Sequence, residues 1–286
     1  MKSIVVSLDN PLDMALREQW RVRARDYHPV DMADLLVQGD TALASLGGEI
    51  AVLILRSDSL GVGPVDDLER LLQILIQYCG TRQLPLLMVS SCRVIEPFAG
   101  ANRYRESQAI EPESAAATTL WSLEQALRDN YAYHLIVRLG PLFSSTVLVD
   151  SMLAEFRRGG PQRFAETGRA APTHVADAAR VLSAIVDQIS CGADVWGTYH
   201  YNSAEPVSHY RFAEAALAVY GECGNAASVE LVGDDTLGAT WTAPLLNCEK
   251  ILNTFGIKQL PWRAYLSATI RALLAPPVEE LKREQS

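Results

Sequence analysis

The chain lacks the features that mark secreted, metal-binding and membrane-spanning proteins. Its five cysteines are widely scattered without a Cys-x-x-Cys pair, and its five histidines show no metal-ligand spacing. We therefore expect neither a disulfide framework nor a metal site. No apolar run approaches the ~18 residues that a membrane span needs, and the apolar stretch behind Met1 is too short for a signal peptide. We expect a cytoplasmic protein with no membrane partner.

Basic residues are also scarce. Lysine and arginine total 25 against 34 aspartates and glutamates, which gives a formal net charge of -9. Nucleic-acid binding depends on basic side chains that neutralise phosphates, so we expect no DNA or RNA partner. The 286 residues, 49% of them hydrophobic, can bury one large core or two modest ones.

Short apolar runs alternate with longer segments of helical periodicity in the first half of the chain. This alternation predicts βαβ units, and hence a parallel sheet with helices on both faces. We predict strands at 3–6, 20–25, 50–55, 85–89 and 134–137, and helices at 14–19, 32–46, 66–79 and 115–129.

The pattern changes from about Phe143, where helices predicted at 147–158, 174–189 and 208–220 are joined by short strands such as 197–201. The predicted fold is α/β, a doubly wound parallel Rossmann-type sheet with a smaller C-terminal α/β lobe. We expect residues 1–142 to form the core and residues 143–275 to form a substrate-type lobe interleaved with it. Residues 276–286 form a charged tail.

The turn after the first predicted strand contains no glycine. A dinucleotide-binding turn needs glycines so that the backbone can bend tightly and approach the pyrophosphate. Here the turn runs from Ser7 to Asp13, and Pro11 removes a backbone N–H donor. Asp9 and Asp13 add negative charge where a pyrophosphate would lie. Gly61 and Gly63 form the only Gly-x-Gly in the sequence, which we interpret as a flexible loop.

Polar residues follow the fourth predicted strand, where ligands of open parallel sheets bind. Ser90 and Ser91 could polarise a substrate carbonyl, or they could cap the chain as it leaves the sheet. Cys92 could act as a nucleophile with His174 as its base, or it could be a small core residue. The charged segment 103–112 is interpreted as a lid or a surface loop.

The order of motifs along the chain resembles the extended short-chain dehydrogenase/reductases, and within them the dTDP-4-dehydrorhamnose reductase branch. It is also similar to the regulatory β subunits of methionine adenosyltransferase, most visibly at 172–177 and 247–250. The motifs that carry the resemblance are Val89-Ser90-Ser91-Cys92-Arg93, Tyr104-Arg105-Glu106, Arg138-Leu139-Gly140, Pro172-Thr173-His174-Val175-Ala176-Asp177, Gly197-Thr198-Tyr199-His200-Tyr201-Asn202, Asn247-Cys248-Glu249-Lys250 and Pro261-Trp262-Arg263.

The resemblance implies a glycine-rich turn, a serine or threonine, and a Tyr-x-x-x-Lys pair that serves hydride transfer from a nicotinamide. The chain departs from this pattern. Its turn has Ser7, Asn10 and Asp13 at the glycine positions. With Pro112 and Glu124 as anchors, the tyrosine position holds Ala116 and the lysine position holds Leu120; Ser91 keeps the serine position. Alanine and leucine can supply neither the proton nor the ribose contact.

We therefore predict a catalytically inactive, reductase-like protein that acts as a regulatory, scaffolding or nucleotide-sugar-sensing subunit and needs no cofactor. The alternative is an NADP-dependent reductase or epimerase of a 4-keto nucleotide sugar, with Tyr104 or Cys92 as the acid. A third interpretation is a binding module that uses Arg93, Arg138 or Arg263 on phosphates.

The candidate ligand cleft is predicted between the Rossmann-type core and the C-terminal lobe. A protein partner is expected; a nucleotide-sugar ligand and a homodimer remain open. Trp121 is either a core residue or a plug for the former nicotinamide space. The cleft residues are Ser90, Ser91, Arg93, Tyr104, Arg138, Thr173 and His174.

Overall fold

A computed structural model describes residues 3–7, 10–44, 46, 50–54, 65–96, 103–225 and 228–275. Ten strands lie within them: β1 Ser3–Ser7, β2 Tyr27–Asp31, β3 Ile50–Ile54, β4 Leu86–Ser91, β5 His134–Leu139, β6 Leu142–Phe143, β7 Gly160–Phe164, β8 Thr173–His174, β9 Gly197–Tyr201 and β10 Val229–Gly233. Six of them form one parallel sheet in the order β2-β1-β3-β4-β5-β9.

Helices flank this sheet: the helix Pro11–Val22 packs against Val175–Ser190, and the helix Val65–Arg82 packs against Ala115–Asn130. The predicted Rossmann-type class is therefore confirmed. The helices are α1 Pro11–Val22, α2 Met32–Gln38, α3 Thr41–Ala44, α4 Val65–Arg82, α5 Ala115–Asn130, α6 Val149–Arg158, α7 Val175–Ser190, α8 His209–Glu222, α9 Gly238–Trp241, α10 Glu249–Phe255 and α11 Arg263–Leu274.

The strand predicted at 20–25 is wrong, because α1 continues to Val22 and the second strand is Tyr27–Asp31. Buried side chains recur every fourth residue along α1, at Leu12, Leu16 and Trp20. This spacing places them on one helical face. The Trp20 indole Nε1–H donates to Ser183 Oγ of α7 at 3.2 Å, whereas Val22 is exposed. The stripe thus belongs to a helix.

The helix predicted at 32–46 is interrupted. It divides into α2 and α3 at Gly39, whose φ of 65° lies in the left-handed region that favours glycine.

Two hydrophobic clusters fill the interior. The first surrounds the six-stranded sheet, and the second joins β6 and β7 to α6, α8 and α11. Phe212 of α8 lies at the centre of the second cluster, between the rings of Phe143 and Trp262. The buried residues of this second cluster all lie between Phe143 and Ile270 in the chain. Among the described residues, none of the helices could cross a membrane, and no group of side chains has the composition of a metal site.

The sheet order defines where ligands of such folds bind. The chain runs outward from β1 to β2 and then returns to β3 on the opposite side of β1. The carboxyl ends of β1 and β3 therefore meet at a topological switch point, which is the ligand-binding crevice of open α/β sheets. The end of β3 leads into 55–64, so Gly61 and Gly63 lie outside the described residues.

Candidate functional site

α1 begins at Pro11, four residues after the end of β1, and its N-terminus faces the switch point. Ser7 is the last residue of β1, and Asn10 is the N-cap of α1. The buried Asn10 Oδ1 accepts the backbone N–H groups of Leu12 and Asp13, each at 3.0 Å. Pro11 occupies the first helical position and has no N–H. The helix-terminal donors that hold a pyrophosphate in dinucleotide-binding folds are thus used internally.

A buried carboxylate adds negative charge to the same helix end. Asp13 is fully buried, and its oxygens bind Arg17 Nε at 2.9 Å and Nη2 at 2.6 Å. An anion here is stabilised by the positive end of the helix dipole. Asp13 therefore supplies the negative charge that the helix dipole favours, and Asn10 accepts the hydrogen bonds of the free N–H groups. The described residues of this helix end do not fit the pyrophosphate of a dinucleotide, and we derive no chemical step through one.

The two positions that correspond to the family's tyrosine and lysine differ in their surroundings. α5 begins at Ala115, where the Ser114 hydroxyl accepts the N–H of Ala117 at 3.2 Å. Ala116 is exposed on the first turn. Leu120 is fully buried in the sheet-centred hydrophobic cluster. The lysine position is therefore part of the core, where an ammonium group would lose its hydration.

The two serines at the end of β4 have separate roles. Ser91 Oγ accepts the N–H of Arg93 and caps a short 3-10 helix at Cys92–Val94. The buried Ser90 hydroxyl donates to Glu124 Oε1 of α5 at 2.7 Å. Both serines are therefore hydrogen-bonded within the protein. The capping interpretation, which covers both serines, describes Ser91 but not Ser90, whose partner is a side chain of α5.

Glu124 is the centre of a buried charged network. Its carboxylate is fully buried and accepts Arg138 Nε at 3.0 Å and Arg128 Nη2 at 2.7 Å. Arg138 Nη2 completes the ion pair with Glu124 at 2.5 Å. Arg138 is only 1% exposed, so its guanidinium faces the inside of the protein and not an open cleft. A buried pair of this kind is stable only when its remaining donors are also satisfied.

The strand register aligns the network. Ser90, Arg138 and His200 are register partners across the adjacent strands β4, β5 and β9. Arg138 Nη1 lies 3.2 Å from His200 Nε2, and His200 Nδ1 lies 3.1 Å from the Tyr104 carbonyl oxygen. Burial and the Arg138 charge lower the pKa of His200 to about 3. A neutral imidazole with Nδ1–H accepts from Arg138 and donates to Tyr104.

Trp121 covers this network from α5. Its ring lies 5.1 Å from the Arg128 guanidinium and 5.8 Å from that of Arg138, within cation–π range. The side chain is partly buried and packs against the sheet-centred cluster. These contacts favour the packing role among the two roles predicted for Trp121.

The two candidate acids of the alternative mechanism are buried. Cys92 is 1% exposed, and burial raises the pKa of its thiol to about 11, which disfavours a thiolate nucleophile. Tyr104 is also buried, and its backbone pairs with Leu246.

Arg93 is exposed at the end of β4. In the segment 103–112, predicted as a lid or a surface loop, Tyr104 is buried whereas the Arg105 side chain is exposed.

Thr173 and His174 belong to the lobe side of the structure. The buried Thr173 hydroxyl donates to Ala171 O and accepts the N–H of Ser203. His174 caps α7 through Nδ1, stacks on Tyr265 and pairs with Thr269. Burial lowers the pKa of His174 to about 4. The imidazole is therefore engaged in capping and stacking contacts.

The predicted site residues thus fall into separate groups. The structure brings together Ser90, Arg138 and Tyr104 through Glu124 and His200, while Thr173 and His174 lie in other contacts. Sequence reasoning used Glu124 only as an alignment anchor and missed the role of His200. The sequence signal that could have revealed the network was Glu124 itself, a glutamate at a position of the apolar stripe of α5.

Arg263, the third arginine considered for phosphate binding, is exposed; it lies beside Glu205 and over the Trp262 ring.

Comparison with known proteins places these observations in a family. The family described as RmlD substrate binding domain matches residues 70–275. The chain belongs to this family. The resemblance to the dTDP-4-dehydrorhamnose reductase branch of the extended short-chain dehydrogenase/reductases is thereby confirmed. A search of curated proteins found no match.

Solved structures of low sequence identity share the fold of this RmlD-family chain. A dTDP-4-dehydrorhamnose reductase from Clostridium acetobutylicum superposes with a TM-score of 0.80 at 17% identity, covering 96% of this chain and 100% of its own. The dTDP-4-dehydrorhamnose reductase from Bacillus anthracis, in complex with NADP, superposes with a TM-score of 0.77 at 16% identity. The superposition covers 95% of this chain and 99% of the reductase. A dTDP-glucose 4,6-dehydratase from B. anthracis, in complex with NAD, superposes with a TM-score of 0.76 at 12% identity and covers 96% of each chain.

The burial of Leu120 generates a first prediction. Leu120→Lys should lower the free energy of unfolding by more than ~3 kcal/mol, because it removes a core side chain and buries a charge. Ala116→Lys, one turn earlier and exposed at the start of α5, should change it by less than about 0.5 kcal/mol. Urea unfolding of both variants measures the difference. A Leu120→Lys protein as stable as the parent would show that this position can accept the family's lysine.

The buried ion pair generates a second prediction. Glu124→Gln should cost about 3–5 kcal/mol of stability, because Arg138 would remain buried without its counter-charge. Adding Arg138→Met should cost less than the sum of the two single changes. Glu18→Gln removes the exposed Arg21 pair on α1 and should leave the urea midpoint nearly unchanged, because an exposed ion pair contributes little to stability. Strictly additive effects at Glu124 and Arg138 in urea unfolding would contradict the coupling.

Proposed function

We propose that this RmlD-family chain is a non-catalytic member that acts as a regulatory or scaffolding subunit for a protein partner. The closed N-terminus of α1 carries this proposal: Asn10 uses the donors of the helix end and Asp13 supplies its anion. A nicotinamide dinucleotide would have to displace a buried amide and approach a buried carboxylate. We therefore propose that the chain functions without a cofactor.

The composition of α5 supports the same proposal. Ala116 has no ionisable proton to donate to a carbonyl, and Leu120 lies in the core where it cannot contact a ribose. Ser91 alone retains a hydroxyl, and that hydroxyl caps the following turn. A lone serine cannot supply a hydride. The match of residues 70–275 to a substrate binding domain supports nucleotide-sugar sensing as one form of this proposal.

The second candidate is an NADP-dependent reductase or epimerase of a 4-keto nucleotide sugar. The fold shared with the B. anthracis reductase in complex with NADP favours it. This candidate requires the α1 N-terminus to open and another group to replace the family's tyrosine. Cys92 and Tyr104 are the groups that the sequence suggested, and both are buried.

The two candidates differ in their response to NADPH. Under the proposal, the melting temperature should stay constant when the protein is titrated with NADPH, and no NADPH should be oxidised in the presence of a 4-keto nucleotide sugar. A ligand at ~100 times its dissociation constant would stabilise the protein by about 2.7 kcal/mol, which a thermal melt readily detects. Differential scanning calorimetry and the absorbance of NADPH provide the two readouts.

The control for this experiment is the B. anthracis reductase, melted under the same conditions with NADP. A titration with a dTDP-sugar alone separates ligand sensing, which should raise the melting temperature, from pure scaffolding, which should not. A saturable rise with NADPH, or turnover of a keto sugar, would overturn the non-catalytic proposal.

A further inference from the structure

The outer edge of β9 is closed by two side chains of opposite charge. β9 is the last strand in the order of the six-stranded sheet, so, within the described part of the chain, its outward N–H and C=O groups have no strand to pair with. Lys250 Nζ donates to the Thr198 carbonyl oxygen at 2.7 Å, and Glu106 Oε1 accepts the N–H of His200 at 3.0 Å. In a parallel sheet, one residue of a neighbouring strand would bond both of these groups. Lys250 and Glu106 together take the place of that residue.

These two charges are close enough to influence each other but do not pair. Each contributes to the electrostatic environment of the other, yet no ion pair joins them in the described part of the chain. The Lys250 ammonium has three donors and, within the described residues, one hydrogen-bond acceptor; its remaining contact is the Tyr199 ring at 4.3 Å. Glu106 accepts the N–H of His200 through Oε1 and is also hydrogen-bonded to its own backbone. Lys250 therefore retains donors beyond its contact with Thr198, and Glu106 keeps a negative charge that its backbone contacts do not neutralise.

A cavity of about 620 Å³ lies over this pair. This volume falls within the ~300–1,000 Å³ of small-molecule sites. At the rim, Arg105 and Glu249 form an exposed ion pair at 3.3 Å. The lining therefore holds two cations and two carboxylates. It also contains uncharged polar side chains, namely Ser107, Thr198, Asn247, Asn253 and Thr254.

Both inner charges are partly removed from water. Burial raises the pKa of Glu106 and lowers the pKa of Lys250, and in each case burial is the largest cause. Each charged form is thus less well solvated than on an open surface. A ligand that brings the opposite charge to each group would offset this loss.

We propose that this cavity is a binding site for a compact zwitterion of the free amino acid class, whose carboxylate meets Lys250 and whose ammonium meets Glu106. A simple anion would face two carboxylates, and a simple cation would face two cations. A neutral polyol would leave both inner charges without a counter-charge. The site is separate from the α1 N-terminus and from Ser91, which do not line the cavity. The inference is independent of whether the protein is catalytic.

Saturation-transfer NMR with the full chain tests this site, using the free amino acids as probes and acetate, methylamine and glucose as comparisons. At least one amino acid should bind saturably and at least tenfold more tightly than the three comparison compounds. Lys250→Met and Glu106→Gln should each weaken that binding at least tenfold, while Lys250→Arg should retain most of it.

Two further variants on α10 separate binding from folding. Asn253 is exposed and lines the cavity, so Asn253→Trp should block the site without altering either charge. Leu252 lines a neighbouring cavity and not this one, so Leu252→Ala should bind as the parent does. The proposal fails if no amino acid binds saturably, if glucose or a singly charged probe binds as tightly, or if Asn253→Trp binds as tightly as the parent.

Discussion

The buried ion pair between Glu124 and Arg138 is the interaction on which the arrangement of the central sheet and α5 depends. An unpaired charge at either position would lose several kcal/mol of solvation, so α5 and β5 must be held together. The same carboxylate accepts Ser90 from β4, and the same guanidinium contacts His200 on β9. Three strands and one helix are therefore fixed in register by one charge pair. His200 stays neutral within the network because burial and Arg138 lower its pKa to about 3.

This constraint explains how an RmlD-type fold can persist while its reductase positions differ. Glu124 lies one turn beyond Leu120 on α5, so the residue that anchors the helix is distinct from the positions that would carry chemistry. Leu120 adds to the same core that Glu124 ties to the sheet. At the other side of the fold, α1 is completed by its own side chains, since Asn10 and Asp13 match the donors and the dipole of its first turn. Fold and chemistry are separable in such scaffolds, because stability resides in packing and function resides in a few side chains.

The sequence predicted the parts of the fold that depend on local pattern. β3, β4 and β5 were found because strands covered on both faces consist of continuous apolar residues. The segment 20–25 was misassigned because Trp20 and Val22 alternate like a strand, although the stripe of Leu12, Leu16 and Trp20 has helical spacing. Arg138 was found as a polar residue at a strand end, but its partner Glu124 was not recognised. The contacts of Glu106 with His200 and of Lys250 with Thr198 join residues 94 and 52 positions apart, which no local pattern reveals.

The central claim is that the first turn of α1 is closed to a pyrophosphate by the protein itself. Amide hydrogen exchange at Leu12 and Asp13, measured with and without saturating NADPH, tests it most directly, because these are the amides that Asn10 caps. The account predicts slow exchange in the free protein that does not change when NADPH is added. Fast exchange in the free protein, or slower exchange at these two amides with NADPH, would contradict it.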